Sequence, residues 1–300
     1  MQELKGVCPI IATPFTDAGD VDYDSLRNLS RILAEGGCHG LTLFGIAGEY
    51  YKLSDAERRD MVTIVVEECR SAGVPSIISV THHATDVAIQ EARYYQDAGA
   101  DALMLLPPFF LKPPADQIYQ HVKAVGQAVS IPVVVQYAPE QTGVTIAPAV
   151  LQRLGSEVET LQYFKIECKP PGAYITNLYE GTHRQARIFV GNAGYQMIET
   201  FDRGALGVMP GCSMYDVYLK VYDAIMVGDR ETAYHFHSPL LRMLNHIRQN
   251  VEMIITYEKR ILFKRGIIAS DYCRRPTFQT DEHFDRVFEE CYTHLSEFFA

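Results

Sequence analysis

Cations are the scarce class in this 300-residue chain: 27 Lys and Arg face 37 Asp and Glu, for a formal net charge of −10. No stretch gathers them into a basic block, which argues against nucleic acid and anionic membrane surfaces as partners. An anionic small substrate stays open, because the local field of a pocket can oppose the global one. Also missing is any run near the ~18 apolar residues needed to span a bilayer, and residues 1–6 carry no secretion-signal core. The seven cysteines, Cys8, Cys38, Cys69, Cys168, Cys212, Cys273 and Cys291, are odd in number, scattered and never spaced C-x-x-C. They read as reduced thiols of a cytoplasmic protein, with no disulfide or zinc framework. No glycine-rich phosphate loop, Ser/His/Asp set or Cys/His cluster occurs either, and no cofactor is expected.

What is present is an ordinary globular composition, 47% hydrophobic and 21% charged, at a length that suits one large α/β barrel or two smaller domains. Strand-like apolar runs at residues 7–13, 40–44, 76–80, 102–106, 132–136, 161–166, 186–190 and 206–209 alternate with amphipathic helical stretches. Among these are 23–35, 85–98, 115–128 and a helix opened by the capping box of Ser54 and Glu57 that runs to about residue 71. The alternation implies parallel βαβ units, and eight of them fit a closed (β/α)8 TIM barrel better than an open sheet. From about Tyr215 the pattern is helical only, over 217–226, 231–248, 251–265 and 281–298. The expected organisation is a barrel over residues 1–226 and a C-terminal helical extension over 227–300.

In such a barrel, chemistry gathers at the C-terminal ends of the strands. Lys165 closes the 161–166 run between Phe164 and Ile166, ahead of Pro170 and Pro171. Apolar neighbours withhold water from an ammonium and disfavour its charged form, the condition under which a lysine attacks a ketone and forms a Schiff base. The plain alternative is a lysine snorkelling at a strand end. Polar and turn residues concentrated at the other strand ends favour the nucleophile.

Taken in order, a set of short motifs gives the chain a resemblance to the pyruvate-dependent class I aldolases and lyases that include dihydrodipicolinate synthase and N-acetylneuraminate lyase. The set is Ala12-Thr13-Pro14-Phe15; Gly45-x-x-Gly48-Glu49 followed by Leu53, Ser54 and Glu57; residues 98–102; Pro139-x-x-Thr142-Gly143; Lys165 in the sixth strand; and residues 204–208. Each is weak alone, whereas their order and spacing are specific. The resemblance implies an imine between Lys165 and the ketone of a 2-oxo acid. From the resulting enamine, aldol cleavage, aldol addition or loss of water proceeds. It also implies that the substrate carboxylate rests on backbone N–H groups of the glycine turn, around Ile46 and Ala47, and that the protein is a homo-oligomer, commonly a tetramer.

The departures bear on substrate. Many members carry a proton-relaying tyrosine after strand five where this chain has Gln136, and a carboxamide cannot act as general acid or base. Tyr137 follows it but faces the other way on a regular strand, unless a bulge returns it. Ile46 and Ala47 replace hydroxyl residues of the turn. Phe110 stands where the synthase has a tyrosine donated across its dimer interface, and Gln141 where it has an arginine. Gln on strand five with Phe-Lys-x-Glu on strand six resembles the branch acting on 2-oxo-3-deoxy sugar acids, including dehydratases. Glu167 shares the parity of Lys165; it either serves as acid and base in the tyrosine's stead or simply pairs with the ammonium.

Other signals have two readings each. His82 and His83 end the third strand, pointing oppositely, so they make a poor metal pair; one of them contacts a substrate hydroxyl or neither has a role. Glu49 reads as a buried carboxylate bracing backbone amides. Thr142 and Gly143 either reach the substrate or make the turn, and Gly191 and Asn192 either hold its distal end or close strand seven. The expected enzyme is a metal-free lyase on a 2-oxo acid, in particular a 2-oxo-3-deoxy sugar acid. Its catalytic candidates are Lys165, Tyr137 and Glu167, with Ile46, Ala47, Gln136, Thr142, Gly143, Phe110, Gly191, Asn192 and His82 binding substrate. The rivals are an aldolase or synthase joining pyruvate to an aldehyde, and a non-catalytic barrel that binds a 2-oxo acid. Whether a C–C or a C–O bond breaks is left open.

Overall fold

A computed structural model describes residues 3–299. Its strands are β1 Gly6–Val7, β2 Leu41–Leu43, β3 Ser76–Val80, β4 Ala102–Leu105, β5 Val133–Tyr137, β6 Tyr163–Ile166, β7 Arg187–Val190 and β8 Ala205–Val208. The helices are α1 Tyr23–Glu35, α2 Asp55–Ala72, α3 Thr85–Asp97, α4 Ala115–Gln127, α5 Pro139–Thr142, α6 Pro148–Glu157, α7 Gly172–Gly181, α8 Met197–Asp202, α9 Tyr215–Met226, α10 Arg230–Ile247, α11 Val251–Lys264 and α12 Glu282–Ser296.

All strand residues but Arg187 and Leu206 are buried. Continuous runs such as Val133, Val134 and Val135 suit parallel strands covered on both faces. The strands take the order β1-β8-β7-β6-β5-β4-β3-β2 in an 8-stranded sheet. Beyond β1, Ile10 bridges in parallel to Thr42 of β2 and also to Gly211, so the order returns on itself. This is the (β/α)8 barrel topology. The first run is shorter than the expected 7–13 for a local reason: Pro9 and Pro14 have no N–H to give to a ladder, and pairing there reduces to single bridges.

The chain divides into two compact units, one of residues 3–5 and 75–209, the other of residues 6–74 and 210–299. The first holds β3 to β8 with α3 to α8. The β3–β4, β4–β5 and β5–β6 registers run without a shift, and a single irregularity falls between Ile188 and Phe189 of β7. In the second unit α1 packs on α2, α10 on α9 and α12, and α11 on a 3-10 turn, Ile46–Gly48. There α2 starts with the expected box: Ser54 accepts from the Glu57 N–H, and the Glu57 carboxylate accepts from the Ser54 N–H at 2.8 Å. No described helix is long and apolar enough to cross a membrane.

Candidate active site

In the first unit, Gln136 of β5 lies opposite Lys165 of β6, and Tyr137 opposite Ile166. Alternate residues of a ladder share a face. The Tyr137 ring stacks on Tyr174 of α7 with centroids 4.7 Å apart, so Tyr137 looks toward the covering helix, and Gln136 and Lys165 look the opposite way. The register has no bulge to return Tyr137. This corrects its place among the catalytic candidates: it is packed away from Lys165, and burial pushes its phenol up. Lys165 is only 3% exposed.

Glu167 continues the ladder, its N–H donating to the Tyr137 carbonyl at 2.9 Å. Its side chain falls on the lysine's face, as its parity predicts, with Oε1 3.3 Å from Lys165 Nζ. Gln136 Nε2 donates to the other oxygen, Oε2, at 2.8 Å. Beyond β7, Asn192 takes a left-handed conformation, φ 52°. Its N–H donates to Glu167 Oε1 at 3.4 Å and its Nδ2 to the Glu167 carbonyl at 2.6 Å. Gly191 leaves the room this needs, since a methyl group there would lie 2.6 Å from Cδ of Glu167. Five of the sequence candidates, Lys165, Glu167, Gln136, Gly191 and Asn192, thus meet around one carboxylate.

The remaining candidates of this unit make other contacts. His82 Nδ1 accepts from the Ala84 N–H at 3.1 Å. Phe110 is 77% exposed. The Thr142 hydroxyl donates to the Ala138 carbonyl at 2.7 Å and accepts from the Val144 N–H at 3.2 Å, and Gly143, φ 66°, caps α5; both make the turn. None of these contacts reaches Lys165 or Glu167. A histidine the sequence reading passed over, His121 on α4, is buried with Nδ1 3.0 Å from the Thr85 hydroxyl. Burial, then the neighbouring His83 and His82, lower its imidazole to about 4.

The glycine turn belongs to the second unit. The Gly48 N–H returns to the Gly45 carbonyl at 2.8 Å and the Glu49 N–H to that of Ile46 at 3.3 Å. The N–H groups of Ile46 and Ala47 donate to no acceptor among the described residues. Gly48 is required by close approach, because a methyl there would sit 2.8 Å from the Ile11 carbonyl oxygen. The Thr13 hydroxyl donates to the Gly48 carbonyl at 2.6 Å. Phe44 and Glu49 frame the turn with positive φ, 64° and 58°, at roughly 1–2 kcal/mol each for residues with a β-carbon.

Glu49 is fully buried, as expected, but its partners are ammonium groups where backbone amides were expected. Lys259 of α11 pairs with Oε1, and Lys52 lies 3.1 Å from Oε2 and 2.8 Å from Glu252. Lys259 is itself wholly buried; it donates to the Tyr272 carbonyl at 3.1 Å and sits 4.2 Å over the Phe15 ring. Its neighbour Glu258 accepts from the Ser213 N–H at 2.9 Å, and burial raises its carboxyl. The sequence reading named neither residue. The available signal was an adjacent Glu and Lys inside a helix otherwise rich in Met, Ile and Leu.

The chain as a whole resembles known proteins. The model of the dihydrodipicolinate synthetase family matches residues 3–294. An L-2-keto-3-deoxyarabonate dehydratase of Azospirillum brasilense is 28% identical over 276 residues, 91% of this chain and 88% of that one. A 4-hydroxy-tetrahydrodipicolinate synthase of Methanopyrus kandleri is 30% identical over 243 residues, 80% of each. Among solved structures, a dihydrodipicolinate synthase from Rhodopseudomonas palustris superposes with a TM-score of 0.89 at 27% identity, covering 97% of this chain and 98% of that one. Another dihydrodipicolinate synthase reaches 0.90 at 24% identity over 98% and 99%, a likeness of fold. With a family match over nearly the whole length and a lysine in the sixth strand of a (β/α)8 barrel, this chain belongs to the dihydrodipicolinate synthetase family.

Proposed function

We propose that this chain is a Schiff-base lyase that removes water from a 2-oxo-3-deoxy sugar acid through an imine on Lys165. The observation that carries the reading is the buried Lys165 with Glu167 Oε1 at 3.3 Å and no tyrosine on its face of β5. The amine of Lys165 adds to the C2 ketone and water leaves, forming an iminium. That cation withdraws electrons from C3, a proton leaves C3, and the enamine expels the C4 hydroxyl, which takes up a proton and departs as water. The conjugated C3–C4 alkene left behind loses a proton from C5 and gains one at C3, giving a C5 enol that tautomerises to a carbonyl, and hydrolysis of the imine returns the amine. Glu167 is the base within reach of the proton that Lys165 must lose before attack, and the group available to move protons afterwards. The substrate carboxylate is assigned, on the family resemblance, to the unspent N–H groups of Ile46 and Ala47.

The similarity to a keto-deoxy-arabonate dehydratase supports this choice of substrate class. Several relatives bear the name of the condensing synthase. Gln136, Gln141, Phe110 and the Ile46-Ala47 pair stand where that synthase carries the polar groups that the resemblance assigns it, which favours the dehydratase. We also place the protein in the cytoplasm as a homotetramer, on the resemblance and on its seven free thiols; sedimentation equilibrium tests the stoichiometry.

Incubation with a 2-oxo-3-deoxy sugar acid, then borohydride, then peptide mass measurement tests the reading. Mass fixed on the peptide holding Lys165, lost in Lys165→Arg, with the dehydrated dicarbonyl acid as free product (a semialdehyde from a five-carbon substrate), is the expected result. Pyruvate and an aldehyde as products would reassign the reaction to C–C cleavage, and no trapping would remove the lyase reading.

A further inference from the structure

We propose that Gln136 is a positioning residue that acts through Glu167, and that Gly191 is the seat this arrangement requires. The proposal rests on the lyase reading and adds to it which oxygen of Glu167 serves the amine. The two oxygens have separate partners: Oε1 faces Lys165 Nζ at 3.3 Å and the Asn192 N–H at 3.4 Å, whereas Oε2 takes the Gln136 carboxamide at 2.8 Å. A glutamate on a strand end has several open rotamers, and a donor at Oε2 selects the one that aims Oε1 at the amine. Gln136 is 2% exposed and cannot exchange protons at any accessible pH. Its hydrogen bond therefore persists whichever protonation state Lys165 passes through. Strand five contributes orientation, and the proton-carrying group sits two residues beyond the lysine on strand six. Gly191 completes the seat, because a β-carbon there would overlap the Glu167 side chain and force it off both partners.

The test is a cycle of Gln136→Met, Glu167→Gln and the double variant, with Gly191→Ala beside it, in steady-state turnover of a 2-oxo-3-deoxy sugar acid. Gln136→Met is expected to lower kcat about 10–100-fold with KM within about threefold, the effect of a misaimed group. The double variant is expected to be no slower than Glu167→Gln alone, and Gly191→Ala to fall to the same level. A raised KM at unchanged kcat, or losses that multiply in the double variant, would overturn the proposal, since Gln136 would then act on substrate directly. Urea denaturation of the wild type, Gln136→Met, Glu167→Gln and the double variant reads the contact without turnover: a non-additive cycle is expected, and strict additivity overturns the proposal whatever the reaction is. A wild-type protein that traps no 2-oxo acid on borohydride removes the lyase reading alone, and the urea cycle still decides whether Gln136 holds Glu167.

Discussion

Replacing Lys259 with methionine keeps most of the side chain's volume and deletes its charge. In the wild-type protein that charge is wholly buried against Glu49 Oε1, the Tyr272 carbonyl and the face of Phe15. Its loss leaves the buried Glu49 carboxylate short of a partner, and breaking one side of a buried ion pair costs about 3–5 kcal/mol. Lys52 remains 3.1 Å from Oε2, which keeps the expected cost at the lower end, about 3 kcal/mol. Against the 5–15 kcal/mol that typically separates folded from unfolded chains, that is a large share. Equilibrium urea denaturation followed by far-UV circular dichroism measures it. Adding Glu49→Gln to Lys259→Met is expected to recover part of the loss, because the second change removes the orphaned charge. Glu49 also sets the left-handed exit of the glycine turn, φ 58°. On the proposed assignment of the substrate carboxylate to this turn, Lys259→Met is expected to raise KM for the 2-oxo acid while borohydride trapping at Lys165 persists. A single-variant loss below about 1 kcal/mol, or a double variant whose loss equals the sum of the singles, would refute the coupling.

Three further outcomes are expected. His121 titrates near 4 in the fold because of burial and then His83 and His82, whereas an unfolded histidine titrates near 6.5. Between those values the unfolded chain binds a proton that the fold refuses, so stability is full above about pH 6.5 and falls as pH drops toward 4. His121→Gln should flatten that slope in urea midpoints measured at pH 7 and pH 5. The Arg274 guanidinium, aided by the Ser54 N–H and hydroxyl, holds the Glu57 carboxyl down to about 2. Its stabilisation is present above an ordinary carboxylate's value and is lost as pH falls toward 2, so Arg274→Met should reduce the difference between midpoints at pH 6 and pH 3. Thr13→Val leaves the Gly48 carbonyl without the hydroxyl that reaches it at 2.6 Å; a loss of about 1–3 kcal/mol by urea denaturation is expected, with a raised KM.

Local chemistry made much of the fold legible. The capping box of Ser54 and Glu57, the limits of α1 and the whole of β3 fall where the sequence reading places them, because each is decided by neighbours within a few residues. The small helices between β5 and β8 were harder to delimit. Pro139, Gly143, Pro148 and Gly172 break that stretch into pieces of 4 to 10 residues, too short for a clear apolar period. Parity was enough to put Glu167 beside Lys165, because a period of two needs only the strand's direction. Parity also left Tyr137 two possibilities, and the unbroken β5–β6 register removes one of them. What parity cannot give is a partner's identity across distance. Glu49 finds Lys259 from 210 positions away, and Glu167 finds Gly191 and Asn192 from the next strand's end. Motif order singles out groups able to do chemistry, while the groups that aim them are chosen by ladder register and helix docking. A glutamine in a tyrosine's place therefore reads from the sequence as a lost proton relay or a substrate ligand, and only its 2.8 Å bond to a carboxylate on the neighbouring strand gives it a third role.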